Sequence, residues 1–314
     1  MKNEFYYPSS NGVTEIHVIE WIPEGTVKWI LQVSHGMVEY IDRYDEFASF
    51  LCKQGVYVVG NDHLGHGKSV QSKSELGYFA PKKGNQILLE DINRLRVRTM
   101  KKYPHLPYFL LGHSMGSTLA RQYLLTQGRC LKGMILTGLV ADQPTVLLKF
   151  GQVLCRILGK IRGDHYRSKL VDNLAFGSYN KSFKHPQTRA DWITSDPVAL
   201  EKYVNDPLCS FTFTVSAYDA LFDGVLAVKN KVDGKLLPIN VPLFLASGDQ
   251  DPVGGFGKGV RKIWEDYYQS DMEDVRLKIY QGDRHEILGE VNRQEVFEDL
   301  FQWMQEISDS FMID

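Results

Sequence analysis

Along the chain, short apolar runs alternate with longer stretches in which apolar residues recur every three or four positions. Residues 27–33 (VKWILQV), 56–59, 108–111, 134–139 and 241–246 are near-continuous apolar runs, the pattern of strands buried on both faces. Residues 14–21 alternate apolar and polar side chains, as a half-buried strand does, and 275–280 has a similar β-rich composition. Between these runs, residues 43–53 put Tyr44, Phe47 and Leu51 on one helical face. Residues 88–103 carry strong helix formers and stop at Pro104. At the end, residues 292–311 repeat Val296, Leu300, Trp303 or Met304, and Ile307 at helical spacing. Strands alternating with helices of this length predict an α/β fold, with a mostly parallel central sheet covered by helices on both faces.

The alternation breaks between about residues 141 and 238. Residues 145–158 are amphipathic, the sequence then becomes aromatic and loop-rich around Pro186, Pro197 and Pro207, and a second apolar stretch runs over 211–228. An insertion of this size within an α/β alternation predicts a cap over the active end of the sheet. The expected division is a core of residues 1–141 and 237–314 and a cap of residues 142–236.

Composition narrows the function classes. The 314 residues are 43% hydrophobic and 24% charged, close to the globular average, which argues against disorder or a coiled coil. With 36 basic against 38 acidic side chains the formal charge is −2, so a nucleic-acid partner has no electrostatic support. Cys52, Cys130, Cys155 and Cys209 are far apart and form no C-x-x-C pair, giving neither a disulfide framework nor a zinc site. No apolar stretch approaches 18 residues and the opening MKNEF has no signal-peptide core, so a soluble, cytoplasmic protein is expected.

The sharpest local signal is Gly112-His113-Ser114-Met115-Gly116, set directly after the apolar run 108–111 and before a helical run over 117–126. Glycine and serine usage gives on the order of 0.1 chance G-x-S-x-G pentads in a chain this long. A strand before and a helix after make it a nucleophile elbow, a strand-to-helix turn that exposes the serine hydroxyl. A serine needs a base, and the base needs an acid to fix its tautomer. The expected order is Ser, then Asp or Glu, then His, the last two on loops after later strands. The run 241–246 leads into Ser247-Gly248-Asp249-Gln250-Asp251-Pro252-Val253, and 275–280 leads into Gln281-Gly282-Asp283-Arg284-His285-Glu286. Asp251 is therefore the expected acid and His285 the expected base. Asp249 competes for the acid role but suits a hydrogen bond within its own turn, and Asp283 suits a capping role. The sequence Val33-Ser34-His35-Gly36-Met37 predicts an oxyanion hole formed by the backbone N–H groups of Met37 and Met115, with His35 as a structural residue. The glycine-rich stretch 61–69 lacks phosphate-loop spacing, and His63 and His66 lack a carboxylate or cysteine to complete a metal site.

These pieces together resemble the α/β-hydrolase superfamily, and within it the monoacylglycerol lipase and lysophospholipase group. The matching residues are His35-Gly36-Met37 with Glu39-Tyr40 and Arg43-Tyr44, Asp62-His63-Leu64-Gly65-His66-Gly67-Lys68-Ser69, the serine pentad, the 247–253 turn, and Arg284-His285-Glu286-Ile287-Leu288. They span about residues 10–310, whereas the cap carries no matching motif. The resemblance implies an α/β-hydrolase fold with an inserted helical cap and ester hydrolysis through an acyl-enzyme on Ser114, with neither cofactor nor metal. The expected partner is a small ester substrate, most naturally an acyl lipid. A short-chain carboxylesterase or a peptidase of the same fold is the alternative. Prolyl iminopeptidase-type members carry H-G-G-P-G where this chain has His35-Gly36-Met37-Val38-Glu39, which argues against that activity. Val146, Leu147, Phe150, Val153, Leu154, Ile157 and Leu158 can share one helical stripe beside Lys149, Arg156, Lys160, Arg162, Arg167 and Lys169. That stripe predicts either packing on the core with a solvated charged face, or transient contact with an anionic membrane.

Overall fold

The computed structural model describes residues 1–229 and 237–309. Among these residues eight strands form one sheet: β1 (Lys2–Pro8), β2 (Glu15–Trp21), β3 (Trp29–Ser34), β4 (Val56–Asn61), β5 (Tyr108–His113), β6 (Gly133–Thr137), β7 (Leu243–Gly248) and β8 (Val275–Tyr280). The spatial order is β1-β2-β4-β3-β5-β6-β7-β8. The six strands from β4 to β8 pair in parallel, whereas β2 runs antiparallel to both β1 and β4. The central strands β3, β4, β5 and β6 are buried at every position, which is why their sequences read as unbroken apolar runs.

Helices cover both faces. Phe47 and Leu51 of α1 (Asp45–Lys53) and Val296, Leu300 and Trp303 of α9 (Arg293–Asp309) enter one core layer. The other layer takes Leu88, Ile92 and Leu95 from α2 (Gly84–Lys102), Leu119 and Tyr123 from α3 (Met115–Gln127), and Val260 and Ile263 from α8 (Lys258–Tyr268). Within the core, β1 and α8 stand outside the sequence reading, as do two helices of the inserted region, Lys169–Phe176 and Pro197–Asn205, which fall in the stretch expected to be loop-rich. β1 is an edge strand on which only Tyr7 is buried, so its apolar signal is weak. In α8, Val260, Ile263 and Tyr267 are buried at i, i+3 and i+7, a period the sequence does carry. The expected strand over 134–139 ends at Thr137, because Gly138 turns the chain at φ +55°.

Between β6 and β7 lie α4 (Thr145–Arg162), α5 (Lys169–Phe176), α6 (Pro197–Asn205) and α7 (Val215–Lys229). α7 packs against α4 on one side and against α3 and α2 on the other. Pro197 opens α6 as its first residue, with the Asp196 carboxylate accepting the Val198 and Ala199 N–H groups. A proline costs nothing at that position, where its missing N–H has no helical partner. Of the apolar stripe expected on α4, Leu154 and Leu158 are half-buried against the core, while Val146, Leu147, Phe150, Val153 and Ile157 stay exposed; the residues that pack fully inward, Leu148 and Cys155, lie outside that stripe. The inward face is the one with Gly151, where Phe222 of α7 can lie close to the helix backbone. The outer face carries the exposed apolar side chains together with exposed Lys149, Arg156, Lys160 and Arg162. Among the described residues no helix is long and apolar enough to cross a membrane.

Candidate active site

Ser114 sits between β5 and α3 at φ 52°, ψ −117°, a region that side-chain-bearing residues occupy only where their surroundings hold them. Its N–H donates to Thr137 O on β6 at 3.0 Å. Tight apposition to β3 imposes the turn: a Cβ on Gly116 would lie 1.9 Å from Ser34 O.

The turns after β7 and β8 bring the other two expected residues to the serine. His285 Nε2 is 2.8 Å from Ser114 Oγ, and His285 Nδ1 is 3.0 Å from Asp251 Oδ2. Asp251 is fully buried, and its Oδ1 accepts the Val253 N–H at 2.9 Å. The carboxylate next to Nδ1 assigns the proton to that nitrogen and leaves Nε2 as acceptor for the serine O–H. Burial works against a charged His285, but the adjacent Asp251 carboxylate outweighs it and raises the imidazole above its ordinary range. The ring lies between Trp192, at 5.0 Å between centres, and His113, at 4.9 Å. Gly138 makes room for both imidazoles, since a Cβ there would come within 2.7 Å of His113 and 2.9 Å of His285. Burial, and then the neighbouring His285, hold His113 well below the ordinary histidine value. The structure keeps Asp249 away from the imidazole, with its Oδ1 accepting the Gly282 N–H at 2.8 Å. Asp283 lies against Asn292 and Glu290, and burial followed by Glu290 pushes its carboxyl up to about 7.

The loop after β3 approaches the serine most closely at Gly36, where a Cβ would be 3.0 Å from Ser114 Cβ. Met37 follows it, and Met115 is the first residue of α3, so its N–H has no acceptor within the helix. Buried polar groups hold this loop in place. Glu39 accepts the Gly36 N–H, and also the Tyr44 O–H at 3.1 Å. Arg43 donates to Glu39 at 3.0 Å and grips Glu286, the residue after His285, through two bonds of 2.7 and 2.6 Å. Burial pushes the Glu39 carboxyl up to about 7 against the pull of Arg43, with Glu286 adding repulsion. His35 is committed to the backbone: Nδ1 donates to Gly36 O at 2.7 Å and Nε2 accepts the His63 N–H at 2.8 Å. Asp62 accepts the N–H groups of Ile41 at 2.8 Å and Lys68 at 2.7 Å. The glycine-rich stretch 61–69 is thus a brace beneath the 35–37 loop. Burial lowers His63 to about 3 and His66 to about 4. Among the described residues no three His, Cys, Asp or Glu side chains gather as a metal site.

A profile of the family described as "Serine aminopeptidase, S33" matches residues 25–292. The chain belongs to this family of α/β-hydrolases. It is 28% identical to human monoglyceride lipase over 291 residues, covering 91% of this chain and 85% of that protein. Identity to the monoacylglycerol lipase of Mycolicibacterium smegmatis is 24% over 306 residues, 96% and 97% of the two chains. Among solved structures, a thermostable carboxyl esterase from Bacillus coagulans, in complex with glycerol, superposes with a TM-score of 0.89 at 29% identity, covering 98% of this chain and 99% of that one.

Two cavities meet near Ser114, one mostly apolar and one of mixed lining. One, of about 420 Å³, reaches Ser114, Met37 and Met115 and is walled by Leu147, Leu148, Leu174, Phe222 and Val225 from the inserted helices. The other, of about 140 Å³, also reaches Ser114 and Met37 and shares Glu39, His113, Tyr203 and Glu286 with a polar cleft of about 410 Å³. Trp192 lines both cavities that reach the serine. Sequence reasoning had assigned no role to Gly138, Trp192, Tyr203 or the Arg43–Glu286 clamp. Arg43 and Glu286 lie within matched motifs, but nothing in a sequence shows that residues 243 positions apart form an ion pair.

Proposed function

We propose that this protein hydrolyses carboxylic esters of acyl lipids, monoacylglycerols foremost, through an acyl-enzyme on Ser114. The observation that carries the reading is the continuous Ser114–His285–Asp251 hydrogen-bond chain where an apolar cavity meets one of mixed lining that shares residues with the charged cleft. His285 takes the serine proton through Nε2 as Oγ attacks the ester carbonyl, and Asp251 stabilises the imidazolium that forms. The N–H groups of Met37 and Met115 receive the developing oxyanion. His285 then protonates the departing alcohol, and afterwards deprotonates the water that attacks the acyl-enzyme and releases the acid. Every step uses groups of the chain and water.

The acyl chain belongs in the 420 Å³ cavity, whose size and apolar lining suit a small hydrophobic ligand. The alcohol belongs on the polar side. There the larger cleft is lined by three basic residues, Arg43, Lys202 and Arg293, against seven carboxylates. Excess negative charge disfavours a phosphorylated head group and favours a neutral polyol. In this reading residues 142–236 form a cap on a core of residues 1–141 and 237–314, with 230–236 and 310–314 outside the described residues. The outward face of α4, with Val146 at 80% exposure, Phe150 at 57% and Ile161 at 72%, meets the lipid aggregate from which substrate enters. Arg156 is paired with Asp219 and Arg167 is bound to backbone carbonyls, whereas Lys149, Lys160 and Arg162 are exposed beside the apolar side chains, so the contact joins apolar burial to attraction for anionic lipid.

The test is hydrolysis of p-nitrophenyl esters from acetyl to palmitoyl, with Ser114→Ala as the blank, followed by monoacylglycerols and lysophospholipids. A Ser114-dependent optimum at medium or long chains, with monoacylglycerol preferred, supports the proposal. An optimum at acetyl or butyryl moves the protein to small-ester chemistry, and no Ser114-dependent turnover rejects ester hydrolysis. Liposome co-sedimentation of Phe150→Ser against the unaltered protein tests the α4 surface; equal binding of the two rejects it.

A further inference from the structure

The loop that carries His285 is tied along its length to one segment of the inserted region, residues 191–196, by contacts that no catalytic step requires. The His285 N–H donates to Trp192 O at 3.4 Å and the Glu286 N–H to Ile193 O at 2.7 Å. Thr194 Oγ1 donates to Gly289 O at 3.1 Å. At the end of the loop Glu290 is fully buried. Its carboxylate accepts the Ser195 N–H at 2.9 and 3.0 Å, the Ser195 O–H, and the Arg284 N–H at 2.8 Å. Arg284 reaches the opposite way: its guanidinium donates to Asp191 O and, at 3.1 Å, to Thr194 O. The same guanidinium lies 4.5 Å from the centre of the Phe183 ring.

A carboxylate enclosed in this way is held by its donors, because losing any of them strands charge away from water. Glu290 draws one donor from the residue before His285 and two from Ser195, so it fixes two segments about 95 positions apart in one geometry. Trp192 lies within the tied segment, 5.0 Å from the His285 ring, and lines both cavities at the serine. The wall of the substrate pocket and the general base thereby form one rigid piece.

We propose that Glu290 is a positioning residue. With Arg284 it clasps residues 191–196 to the His285 loop, and so sets the imidazole against Ser114 and Trp192 against the imidazole. The proposal rests on the reading of Ser114 as nucleophile and His285 as base. It differs from a purely structural role in what it predicts per folded active site.

The decisive variant is Glu290→Gln, which keeps the volume but removes the charge and replaces one of the two acceptor oxygens, on which the Ser195 and Arg284 N–H groups converge, with an amide NH2. Three quantities are measured, each normalised to titrated active sites: the rate of Ser114 labelling by a fluorophosphonate, and kcat and KM for p-nitrophenyl acetate and p-nitrophenyl octanoate. A displacement of the base approaching 1 Å lowers rates by about tenfold or more. We expect kcat to fall by that factor on both esters, KM for the acetyl ester to stay within twofold, and labelling to slow in parallel. Ser195→Ala, which removes only the hydroxyl donor, produces a smaller fall in the same direction. Trp192→Phe has less effect in the Glu290→Gln background than alone. The proposal is overturned if Glu290→Gln lowers only the melting temperature and leaves per-site labelling and kcat within twofold. Should Glu290→Gln fail to fold, unchanged per-site rates in Ser195→Ala and Arg284→Lys overturn it equally. If the unaltered protein itself is not labelled at Ser114, the catalytic reading has failed and takes the clasp with it.

Discussion

Asp251→Asn tests the catalytic assignment most directly, because the surrounding hydrogen bonds dictate how the new amide must lie. Oδ1 of Asp251 accepts the Val253 N–H at 2.9 Å, and Oδ2 faces His285 Nδ1 at 3.0 Å. An asparagine keeps its carbonyl oxygen toward Val253, since its NH2 group placed there would confront another donor. That choice turns the NH2 toward His285, so Nδ1 must become the acceptor and the ring proton moves to Nε2. Nε2 is the nitrogen 2.8 Å from Ser114 Oγ. The imidazole then meets the serine with a proton it cannot exchange for the serine's own. In serine triads this change of tautomer lowers kcat by about 10⁴, or about 5.4 kcal/mol at 1.36 kcal/mol per decade. The assay is p-nitrophenyl ester turnover near pH 7.5, with Ser114→Ala as the blank and circular dichroism to show that the fold is kept. Asp249→Asn is the control. Its carboxylate ties its own turn to the Gly282 N–H, and its loss is expected to change kcat by less than fivefold. If Asp251→Asn retained activity within tenfold, or if Asp249→Asn fell as far, the assignment of the acid would be refuted.

Three further outcomes follow from particular residues. His285 must be neutral to act as base and its value is raised by Asp251, so kcat/KM on a neutral ester should fall with decreasing pH through a midpoint above 6.5; a midpoint below 6.5 contradicts the pairing. A Cβ on Gly151 would lie 2.7 Å from the Phe222 ring, so Gly151→Val should swing that ring into the 420 Å³ cavity. Each methylene excluded forfeits about 0.8 kcal/mol, roughly fourfold in kcat/KM on the longest preferred ester, with the acetyl ester little affected; an unchanged chain-length profile would show that the cavity does not hold the acyl chain. The Asp283 carboxyl is pushed from 3.8 up to about 7 in the fold, so the folded state keeps a proton that the unfolded chain releases. Stability therefore declines as pH rises from about 4 to 7, and the deficit persists above that. Asp283→Asn should melt higher than the unaltered protein at pH 8 and converge with it below pH 4, as thermal melts at the two pH values would show.

By itself the sequence determined whatever short-range chemistry sets. Parallel strands buried on both faces have no alternative to unbroken apolar runs, so 56–59, 108–111 and 241–246 could be read as strands without any structure. The serine pentad was legible for the same local reason: a strand, a tight turn and a helix are contiguous in the chain. Asp251 and His285 were found through chain order, each on a turn directly after a strand. Tertiary structure decided everything that depends on which surfaces meet. Helical periodicity says that α4 has apolar positions, but with apolar side chains on two faces it cannot say which face packs; the small Gly151 and the Phe222 ring settle that only once α7 lies alongside. Likewise Pro197 reads as a helix breaker until Asp196 is seen to cap a helix that begins at the proline. The links across the site, Arg43 with Glu286 and Glu290 with Ser195, join residues 243 and 95 positions apart. Such bonds leave no period or spacing in a single sequence, because a buried charge needs donors close in space and is indifferent to their distance along the chain.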